Sequence, residues 1–499
     1  MELDHHVCYA AIKSRDARFD GRFFTAVLTT GIYCRPVCPA LTPRPENVRF
    51  LVSASAAEEE GFRPCLRCRP EASPGTPDWQ GPSSLVSRAL RLISEGVLDE
   101  AGVEALARRL HLGTRQLRRL FVNQLGAPPI AVAQTRRLHF AKKLIDETKL
   151  PMSEIAFCAG FSGIRRFNDA IRSAYDRSPT ELRRAENTAQ AGASDLNPHN
   201  LQLRLSYRPP LDWPSLLQFL QARAIPGVEL VEGDSYRRTV QIEDGVGVIE
   251  LRFIEGQRHL LLSVPPDLSR SLMQISERVR TLFDLRADPL TITNHLKQDE
   301  WLAHLIQDQP GLRVPGAWDG FEMAVRAILG QQVSIKAANT LAGRLVKTVG
   351  ERLQTAGHDE LAYLFPGPER LAEATLSDIG LMPRRAEAIR ALAKAVRDGE
   401  LDFGTAIGLE EAIARLTALP GLGPWTAHYI AMRALSEPDA FPAGDLGLRR
   451  AAAATKAAML TAPQLRQRAE AWRPWRAYAA MVLWLTITHR DSLDRRPTG

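Results

Sequence analysis

Four cysteines near the N-terminus are the residues of this chain best suited to chemistry. Cys34 and Cys38 form a C-x3-C pair, Cys65 and Cys68 form a C-x2-C pair, and 26 residues separate the two pairs. This spacing predicts one tetrahedral zinc site. Arginines lie among the cysteines, and a metal-held thiolate beside cations is a nucleophile placed to meet an anion, for which the DNA backbone is our candidate. The alternative is a closed zinc site that only folds a small domain.

The sequence around the cysteines resembles a known DNA-repair domain. The stretches TTGIYCRPVCPA and GFRPCLRCRP make residues 1–75 similar to the N-terminal domain of the Ada adaptive-response family. The resemblance implies that Cys34 accepts a methyl group from a DNA methylphosphotriester and that the four cysteines bind Zn²⁺. It also places Thr30 and Arg67 at the DNA. Methylation would change the charge of the zinc–thiolate centre from −2 to −1 and so tighten DNA binding.

A second candidate centre lies near the C-terminus, in LPGLGPWTA (419–427). Gly421 and Gly423 predict a tight hairpin after a helix at 410–418, with the N–H groups of the next helix directed at a phosphate. A simple turn between two helices is the alternative. Asp445 follows 20 residues after Trp425 and is either a catalytic carboxylate or the N-cap of a helix at 446–455, and the two roles are compatible.

The hairpin followed by an aspartate is the signature of the helix-hairpin-helix glycosylase superfamily. Residues 199–490 resemble the bacterial DNA-3-methyladenine glycosylase II (AlkA) family, with further matches in FEMAVRAILGQQVS and WRPWRAYA. The resemblance implies excision of a flipped, N-alkylated purine, with Asp445 stabilising an oxocarbenium-like sugar. It also implies a base pocket lined by Trp425, Tyr429 and Trp484, which could instead be core residues.

Two positions qualify this resemblance. Related bifunctional lyases carry a lysine where this chain has Trp425, so we expect base excision without strand cleavage. The family prototype inserts an apolar residue into the gap left by the flipped base, whereas the matching residue here is the polar Gln332. Gln332 or one of its neighbours would fill the gap.

The composition favours an intracellular protein that binds a polyanion. The chain has 499 residues, a net charge of +7 and a pI near 9.2, which indicate several domains and a nucleic-acid partner. No apolar run is long enough to span a bilayer and no signal peptide is evident. We therefore expect a cytoplasmic, nucleoid-associated protein without a membrane partner.

A basic helical segment follows the cysteines. Residues 83–184 contain 18 Lys and Arg against 10 Asp and Glu, a net charge of +8. The pattern of apolar residues predicts two helix-turn-helix motifs, at 103–121 and 153–171, joined by a helix at 129–146. Thr114 is predicted to be the N-cap of the first recognition helix. The segment resembles the AraC-type DNA-binding domain. The predicted DNA-contacting residues, which could also be a solvated helix face, are Arg115, Gln116, Arg118, Arg119, Arg165, Arg166 and Asn168.

The predicted fold class is multidomain and mainly α with α+β parts. We expect a zinc domain (1–75), a tandem helix-turn-helix domain (83–185), an antiparallel α+β subdomain (199–285) and an all-α helix-hairpin-helix domain (286–499). Linkers are predicted at 72–82 and 186–198. Strands are predicted at 201–207, 238–242, 247–253 and 259–264, and helices at 213–222 and 268–282.

Together these features predict a bifunctional alkylation-response protein. It would bind alkylated and operator double-stranded DNA, work with RNA polymerase as an activator, and excise damaged purines. No segment resembles the C-terminal methyltransferase domain of Ada. The alternatives are a regulator whose C-terminal half only binds DNA, and a repair enzyme that uses its basic segment only for DNA affinity.

Overall fold

The computed structural model describes most of the chain as two compact units. The described residues are 3–74, 84–94, 96–187, 200–243, 245–307, 309–353, 360–404, 407–453 and 459–493. One unit comprises Met1–Pro209, Gln241–Arg280 and Leu285–Ala287, and the other comprises Pro210–Val240, Thr281–Asp284 and Asp288–Gly499. Within the described ranges, no helix combines the length and apolarity needed to cross a membrane.

The first unit begins with a small four-stranded sheet whose strand order is β3-β1-β2-β4. The pairing of β1 with β2 and β3 is antiparallel, and that of β2 with β4 is parallel, with Tyr33 opposite Pro64. Buried aromatic residues, among them Phe23, Phe24 and Tyr33, form its core. The elements are α1 (His5–Ser14), β1 (Phe24–Val27), β2 (Ile32–Cys34), β3 (Val48–Leu51), α2 (Ala54–Glu59) and β4 (Arg63–Pro64).

Eight helices follow and contain the two predicted helix-turn-helix motifs. In each motif the second helix buries residues at helical spacing, such as Leu117 and Phe121 in one and Phe167 and Ile171 in the other. The helices are α3 (Ser84–Ser94), α4 (Val97–Glu100), α5 (Val103–Arg109), α6 (Thr114–Leu125), α7 (Pro129–Glu147), α8 (Met152–Cys158), α9 (Ile164–Tyr175) and α10 (Pro179–Asn187).

One prediction within this segment is wrong. Gly113, not Thr114, is the N-cap of α6, and the side chain of Thr114 caps nothing because Thr114 is already the first helical residue. Most of the two predicted linkers lies outside the described residues. The described beginning of the first one, Ala72, ends a short 3-10 helix (Pro70–Ala72).

The predicted antiparallel strands between 199 and 285 are present. β5 pairs with β9, β9 with β8, and β6 with β7, all antiparallel, and the division between the two units falls within β7. Residues 266–271 form a 3-10 turn rather than the start of the predicted helix. The elements are β5 (Leu201–Ser206), α11 (Trp213–Gln221), β6 (Glu229–Glu232), β7 (Ser235–Ile242), β8 (Gly245–Phe253), β9 (His259–Val264) and α12 (Leu272–Leu282).

Where the structure describes it, the rest of the second unit is mostly helical, with one pair of two-residue strands. One hydrophobic core of this part contains Ile328, Leu345, Ile389 and Ile430, each from a different helix. The elements are α13 (Pro289–Leu296), α14 (Glu300–Gln307), α15 (Gly320–Leu329), α16 (Ile335–Val349), β10 (Glu351–Arg352), β11 (Tyr363–Leu364), α17 (Pro368–Glu373), α18 (Pro383–Arg397), α19 (Leu409–Thr417), α20 (Pro424–Arg433), α21 (Leu446–Ala451), α22 (Ala462–Ala469) and α23 (Arg476–Leu493).

Candidate active sites and nucleic-acid interface

The four cysteine sulfurs converge at one end of the small sheet. Cys34 ends β2, Cys65 follows β4, and the parallel pairing of these strands brings the two cysteines together. All four sulfurs lie within 4.8 Å of one another, a spacing that suits one tetrahedral zinc ion. Cys65 and Cys68 are buried, whereas Cys34 and Cys38 are partly exposed. The residues of a single four-cysteine metal site therefore meet at this end of the sheet.

The arginines beside the cysteines divide into two groups. Arg35 is largely buried: its Nε donates to Asp20 Oδ1 at 2.9 Å, and its Nη1 donates to the Cys68 carbonyl at 3.0 Å. Arg69 forms an ion pair with Asp146 of α7 at 2.9 Å. Arg67, by contrast, is exposed, as is Thr30. Arg35 and Arg69 therefore support the loops structurally, and Arg67 is a cation exposed to solvent.

A polar network connects the cysteine strand to the helix between the two helix-turn-helix motifs. The hydroxyl of Tyr33, next to Cys34, donates to Glu58 Oε1 at 2.8 Å and lies 2.9 Å from Nε2 of His139 on α7. Thr135 of α7 donates to the other oxygen of Glu58. Burial alone would raise the pKa of Glu58, but His139, Thr135 and Tyr33 together lower it. Glu58 is therefore held ionised between the sheet and α7.

The predicted DNA-contacting residues of the helix-turn-helix segment lie on the solvent side of α6 and α9. Each faces away from the buried stripe of its helix, and Arg166 donates to Ser162 Oγ at 3.1 Å. Asn168 is partly exposed, and the exposed residues are Arg115, Gln116, Arg118, Arg119, Arg165 and Arg166. This arrangement is compatible with a recognition surface and with a solvated face.

In the second unit, Asp445 is held at three points. Its Oδ1 accepts the N–H of Leu448 at 2.9 Å, so Asp445 is the N-cap of α21. The indole Nε1 of Trp484 donates to the same oxygen at 3.0 Å, and that of Trp425 donates to Oδ2 at 3.1 Å. The N-cap that the sequence analysis allowed for Asp445 is therefore present, and the same carboxylate also accepts both indole N–H groups.

Asp445 lines a cavity of about 490 Å³ with the three predicted aromatic residues. The rings of Trp425 and Tyr429 stack at 5.6 Å with an interplanar angle of 15°, and Trp484 meets Tyr429 edge-on at 6.1 Å. Phe219 lies 6.5 Å from Trp484. All three predicted aromatic residues therefore line this cavity, where aromatic faces suit an electron-poor flipped base.

The hairpin between α19 and α20 has the geometry that its glycines predicted. Gly421 has a φ of +79°, and a Cβ there would lie 2.8 Å from the Cβ of Ala388, so glycine is required. Gly423 is exposed and is the N-cap of α20. The N–H groups of the first turn of α20 thus begin at an exposed glycine, as a phosphate site would need.

Gln332 occupies an exposed turn beside this hairpin. Its φ of +53° places it in the left-handed region, which is uncommon for a residue with a side chain. The neighbouring Gln331 donates from Nε2 to the Gly421 carbonyl at 2.9 Å and to Thr426 Oγ1 at 3.0 Å. The turn that presents Gln332 is therefore tied to the hairpin.

Four family models match successive parts of the chain. They are the metal binding domain of Ada (residues 7–71), a helix-turn-helix domain (106–185), the AlkA N-terminal domain (202–319) and the HhH-GPD superfamily base excision DNA repair protein (325–477). A probable bifunctional transcriptional activator/DNA repair enzyme AlkA of Mycobacterium tuberculosis is 45% identical over 491 residues, which cover 98% of each chain. The present chain belongs to this family of bifunctional AlkA proteins.

Two further relatives each match a little over half of this chain. DNA-3-methyladenine glycosylase 2 of Escherichia coli is 35% identical over 286 residues, covering 56% of this chain and 96% of that protein. The solved 3-methyladenine DNA-glycosylase of Archaeoglobus fulgidus covers 56% of this chain and 97% of its own, with a TM-score of 0.50 and 25% identity. The multidomain fold class and the zinc site predicted from the sequence are confirmed.

Sequence reasoning missed three arginines that line this cavity, namely Arg223, Arg326 and Arg433. Arg433 Nη1 donates to the Tyr429 hydroxyl at 2.9 Å. Burial alone would raise the pKa of Tyr429, but Arg433, Arg223 and Arg326 together lower it. The spacing of Arg433, one helical turn after Tyr429, was an available signal, whereas Arg223 and Arg326 come from distant segments and gave none.

Proposed function

We propose that this protein senses methylated DNA phosphates, activates transcription in response, and excises N-alkylated purines from DNA. The observation that carries the proposal is the pair of partly buried hydrogen bonds that Trp425 and Trp484 donate to Asp445 in an aromatic cavity, in a chain whose cysteine sulfurs form a separate cluster. The end-to-end similarity to a bifunctional activator and repair enzyme supports both halves together.

In the sensor half, the proposed acceptor is Cys34. Its sulfur would attack the methyl carbon of a phosphotriester: the S–C bond forms, the C–O bond breaks, and the electron pair stays on the phosphate oxygen. Bound zinc would keep the sulfurs of Cys34, Cys38, Cys65 and Cys68 as thiolates, the nucleophilic form. Cys34 is partly exposed at the end of β2, which supports its role as the acceptor.

Methylation removes one negative charge from the sensor, and this change is the proposed switch. Lower repulsion from DNA phosphates would tighten binding to an operator. Thr30 and Arg67 would contact DNA near Cys34, and the exposed side chains of α6 and α9 would bind operator base edges and phosphates. As an activator the protein would act with RNA polymerase at promoters in the nucleoid.

In the glycosylase half, Asp445 would stabilise positive charge on the sugar as the glycosidic bond of a flipped nucleotide breaks. The electron pair goes to the base, which leaves uncharged if it was cationic, and water adds to the sugar carbon. Trp425, Tyr429 and Trp484 would hold the base by stacking. With tryptophan at position 425, no Schiff-base lysine is available there, so the strand would remain intact.

The hairpin and the Gln332 turn would hold the DNA around the flipped nucleotide. Gly421 and Gly423 shape the N-terminus of α20 for a phosphate. Gln332 projects from a turn tied to that hairpin, and it is our candidate for the residue that fills the gap in the duplex. A polar side chain there could hydrogen-bond the unpaired base opposite the gap.

One experiment tests both halves. The purified protein is incubated with duplex DNA treated with a methylating agent, free bases are separated by chromatography, and the peptide containing Cys34 is weighed by mass spectrometry. We expect released methylpurine and a peptide heavier by one methyl group, with the first result lost in Asp445→Asn and the second in Cys34→Ser. A protein that releases no base is a regulator only, and one that gains no methyl group lacks the proposed sensor.

A further inference from the structure

A second cavity, of about 470 Å³, lies within the first compact unit beside the cysteine loops. One wall includes Arg35 and Val37, which belong to the C-x3-C loop. Another wall comes from β5 and from the turn at 256–258, which leads into β9. The cavity therefore brings the sensor half next to a sheet that belongs to the AlkA N-terminal domain.

In the described part of the chain two carboxylates line this cavity, and both are paired with cations. Arg35 donates from Nε to Asp20 Oδ1 at 2.9 Å. Glu147, the last residue of α7, lies 2.9 Å from the ammonium of Lys143 and accepts the backbone N–H of Arg204 at 2.9 Å. Each negative charge in the wall is therefore matched by a neighbouring positive charge.

Arg204 and Arg258 supply positive charge that is not matched in this way. The wall contains four arginines against the two carboxylates, an excess of two positive charges. Among the residues that the structure describes, neither the Arg204 nor the Arg258 guanidinium has an ion-pair or hydrogen-bond partner. Burial, and after it the charge of Arg204, lowers the pKa of His259 in the same wall, so the imidazole adds no charge at neutral pH. Two guanidinium groups are therefore available to an anion.

The backbone that carries these two arginines is held in place. The carbonyl of Arg204 accepts a hydrogen bond from the buried Lys143 of α7. In the turn before β9, the carbonyl of Arg258 accepts the N–H of Tyr207 at 3.2 Å, and the carbonyl of Gln257 accepts the Tyr207 hydroxyl at 2.9 Å. An anion that binds here would therefore order only side chains, which lowers the entropic cost of binding.

The chemistry of two unpaired guanidinium groups fits a phosphate. A guanidinium presents its N–H donors in a planar fork that matches two oxygens of a phosphate. DNA is the partner of this chain, and the cavity includes part of the C-x3-C loop. A duplex that offers one phosphate to Cys34 carries further phosphates along the same strand, about one per 3.4 Å of helix axis. A neighbouring backbone phosphate is therefore the anion that this position favours.

We propose that Arg204 and Arg258 bind a DNA backbone phosphate close to the one that is offered to Cys34. The AlkA N-terminal sheet is then part of the DNA-binding surface of the sensor half. The inference rests on the proposed methyl transfer to Cys34 and adds a binding contact to it, with no bond formed or broken at the two arginines. Both residues act on the affinity for the methylated strand.

The test uses the full chain and a duplex with a single methylphosphotriester, and follows methyl transfer to the Cys34 peptide by mass spectrometry. In the double variant Arg204→Gln and Arg258→Gln, we expect the second-order rate constant at about 0.1 M salt to fall about tenfold. The slope of its logarithm against the logarithm of salt concentration should weaken by about 1, the value for one lost phosphate contact. Lysine at both positions, which keeps the charge, should restore part of the rate.

Arg252→Gln is the matched control, because Arg252 lies on the same sheet, pairs with Glu250 and does not line the cavity. An equal loss of rate in this variant, or no loss in the double variant, would overturn the inference. Inorganic phosphate that raises the melting temperature of the wild type but not of the double variant, with equal methyl transfer in both, would also overturn it, because the cavity would then bind a free anion. Absence of methyl transfer in the wild type would instead overturn the sensor proposal itself.

Discussion

Asp445 combines a structural and a proposed catalytic role in one side chain. Its Oδ1 caps α21, and its two oxygens accept both indole N–H groups of the cavity. Uncharged donors from Trp425 and Trp484 orient the carboxylate without neutralising it, so its negative charge remains available to a developing cation. This is the electrostatic preorganisation expected of a group that stabilises an oxocarbenium-like sugar.

Replacing Asp445 with Asn should separate these two roles. Asparagine is a good N-cap and keeps an acceptor oxygen, so α21 should form, but the negative charge is lost. We expect base release to slow by about 100-fold or more in single-turnover assays, with DNA affinity retained in fluorescence anisotropy. Asp212→Asn, the same change at the N-cap of α11, is the control and should leave the rate unchanged. Retained excision by the Asp445 variant would refute the catalytic assignment.

At the level of elements, the α19–α20 hairpin depends on one glycine. Gly421→Ala would force a side chain into a φ of +79° and place its Cβ 2.8 Å from that of Ala388. We expect a loss of about 2 kcal/mol in the free energy of unfolding and weaker DNA binding, because the hairpin must shift. Urea unfolding followed by tryptophan fluorescence measures the change in stability. Fluorescence anisotropy with an undamaged duplex measures the change in DNA binding.

Gly423→Ala is the matched control for the hairpin. Gly423 has an ordinary extended φ of −87°, and an added Cβ would meet no atom within 4 Å. Alanine is a poorer N-cap than glycine, so we expect the free energy of unfolding to fall by less than about 1 kcal/mol. Equal destabilisation by both substitutions would show that the left-handed conformation of Gly421 and its close approach to Ala388 do not cause the loss of stability.

Helix α20 also contains a histidine that should make stability depend on pH. Nδ1 of His428 accepts the N–H of Phe441 at 3.3 Å, and burial, with the charges of Arg476 and Arg466, lowers its pKa to about 4. The unfolded chain takes up this proton near pH 6.5 and the folded chain only near pH 4. Stability should therefore fall as pH drops from 6.5 to 4, by less than about 1.4 kcal/mol per pH unit because the ring is partly exposed.

The matching variant is His428→Asn, which can still accept a hydrogen bond but does not titrate. Its urea midpoint should decline less than that of the wild type between pH 6.5 and pH 4. If the urea midpoints of the two proteins fall by the same amount, His428 is not the cause of the pH dependence of stability. At neutral pH the two should differ little, since the wild-type ring is uncharged there.

At the scale of the whole molecule, the two proposed sites use separate sets of residues. The cysteine cluster is built within the first compact unit, and the cavity around Asp445 is built within the second. We therefore expect the activities to be separable: Cys34→Ser should lose methyl uptake yet release methylpurine, and Asp445→Asn should do the reverse. Mass spectrometry and base release on the same methylated duplex measure both, and loss of both activities in either variant would show that the sites are coupled.

Much of the fold could be predicted because its signals are local. Helical periodicity located α5 to α9, alternation located β5, β8 and β9, and a glycine pair located the α19–α20 hairpin. The errors were local as well. The N-cap of α6 was predicted one residue too late, at Thr114, because threonine is a good cap, whereas Gly113 holds that position. Residues 266–271 form a 3-10 helix, and 268–271 had been predicted as the start of an α-helix.

The chemical groups of both sites could be recognised from the chain alone, since cysteine spacing and an aspartate after a glycine hairpin are short-range patterns. The residues that surround these groups could not be recognised from the chain alone. Parallel pairing of β2 with β4 decides that Cys34 meets Cys65, and folding decides that Arg223, from a distant segment, lies near the phenol of Tyr429. Contacts of this kind depend on which buried surfaces pack together, and no local pattern of residues specifies that packing.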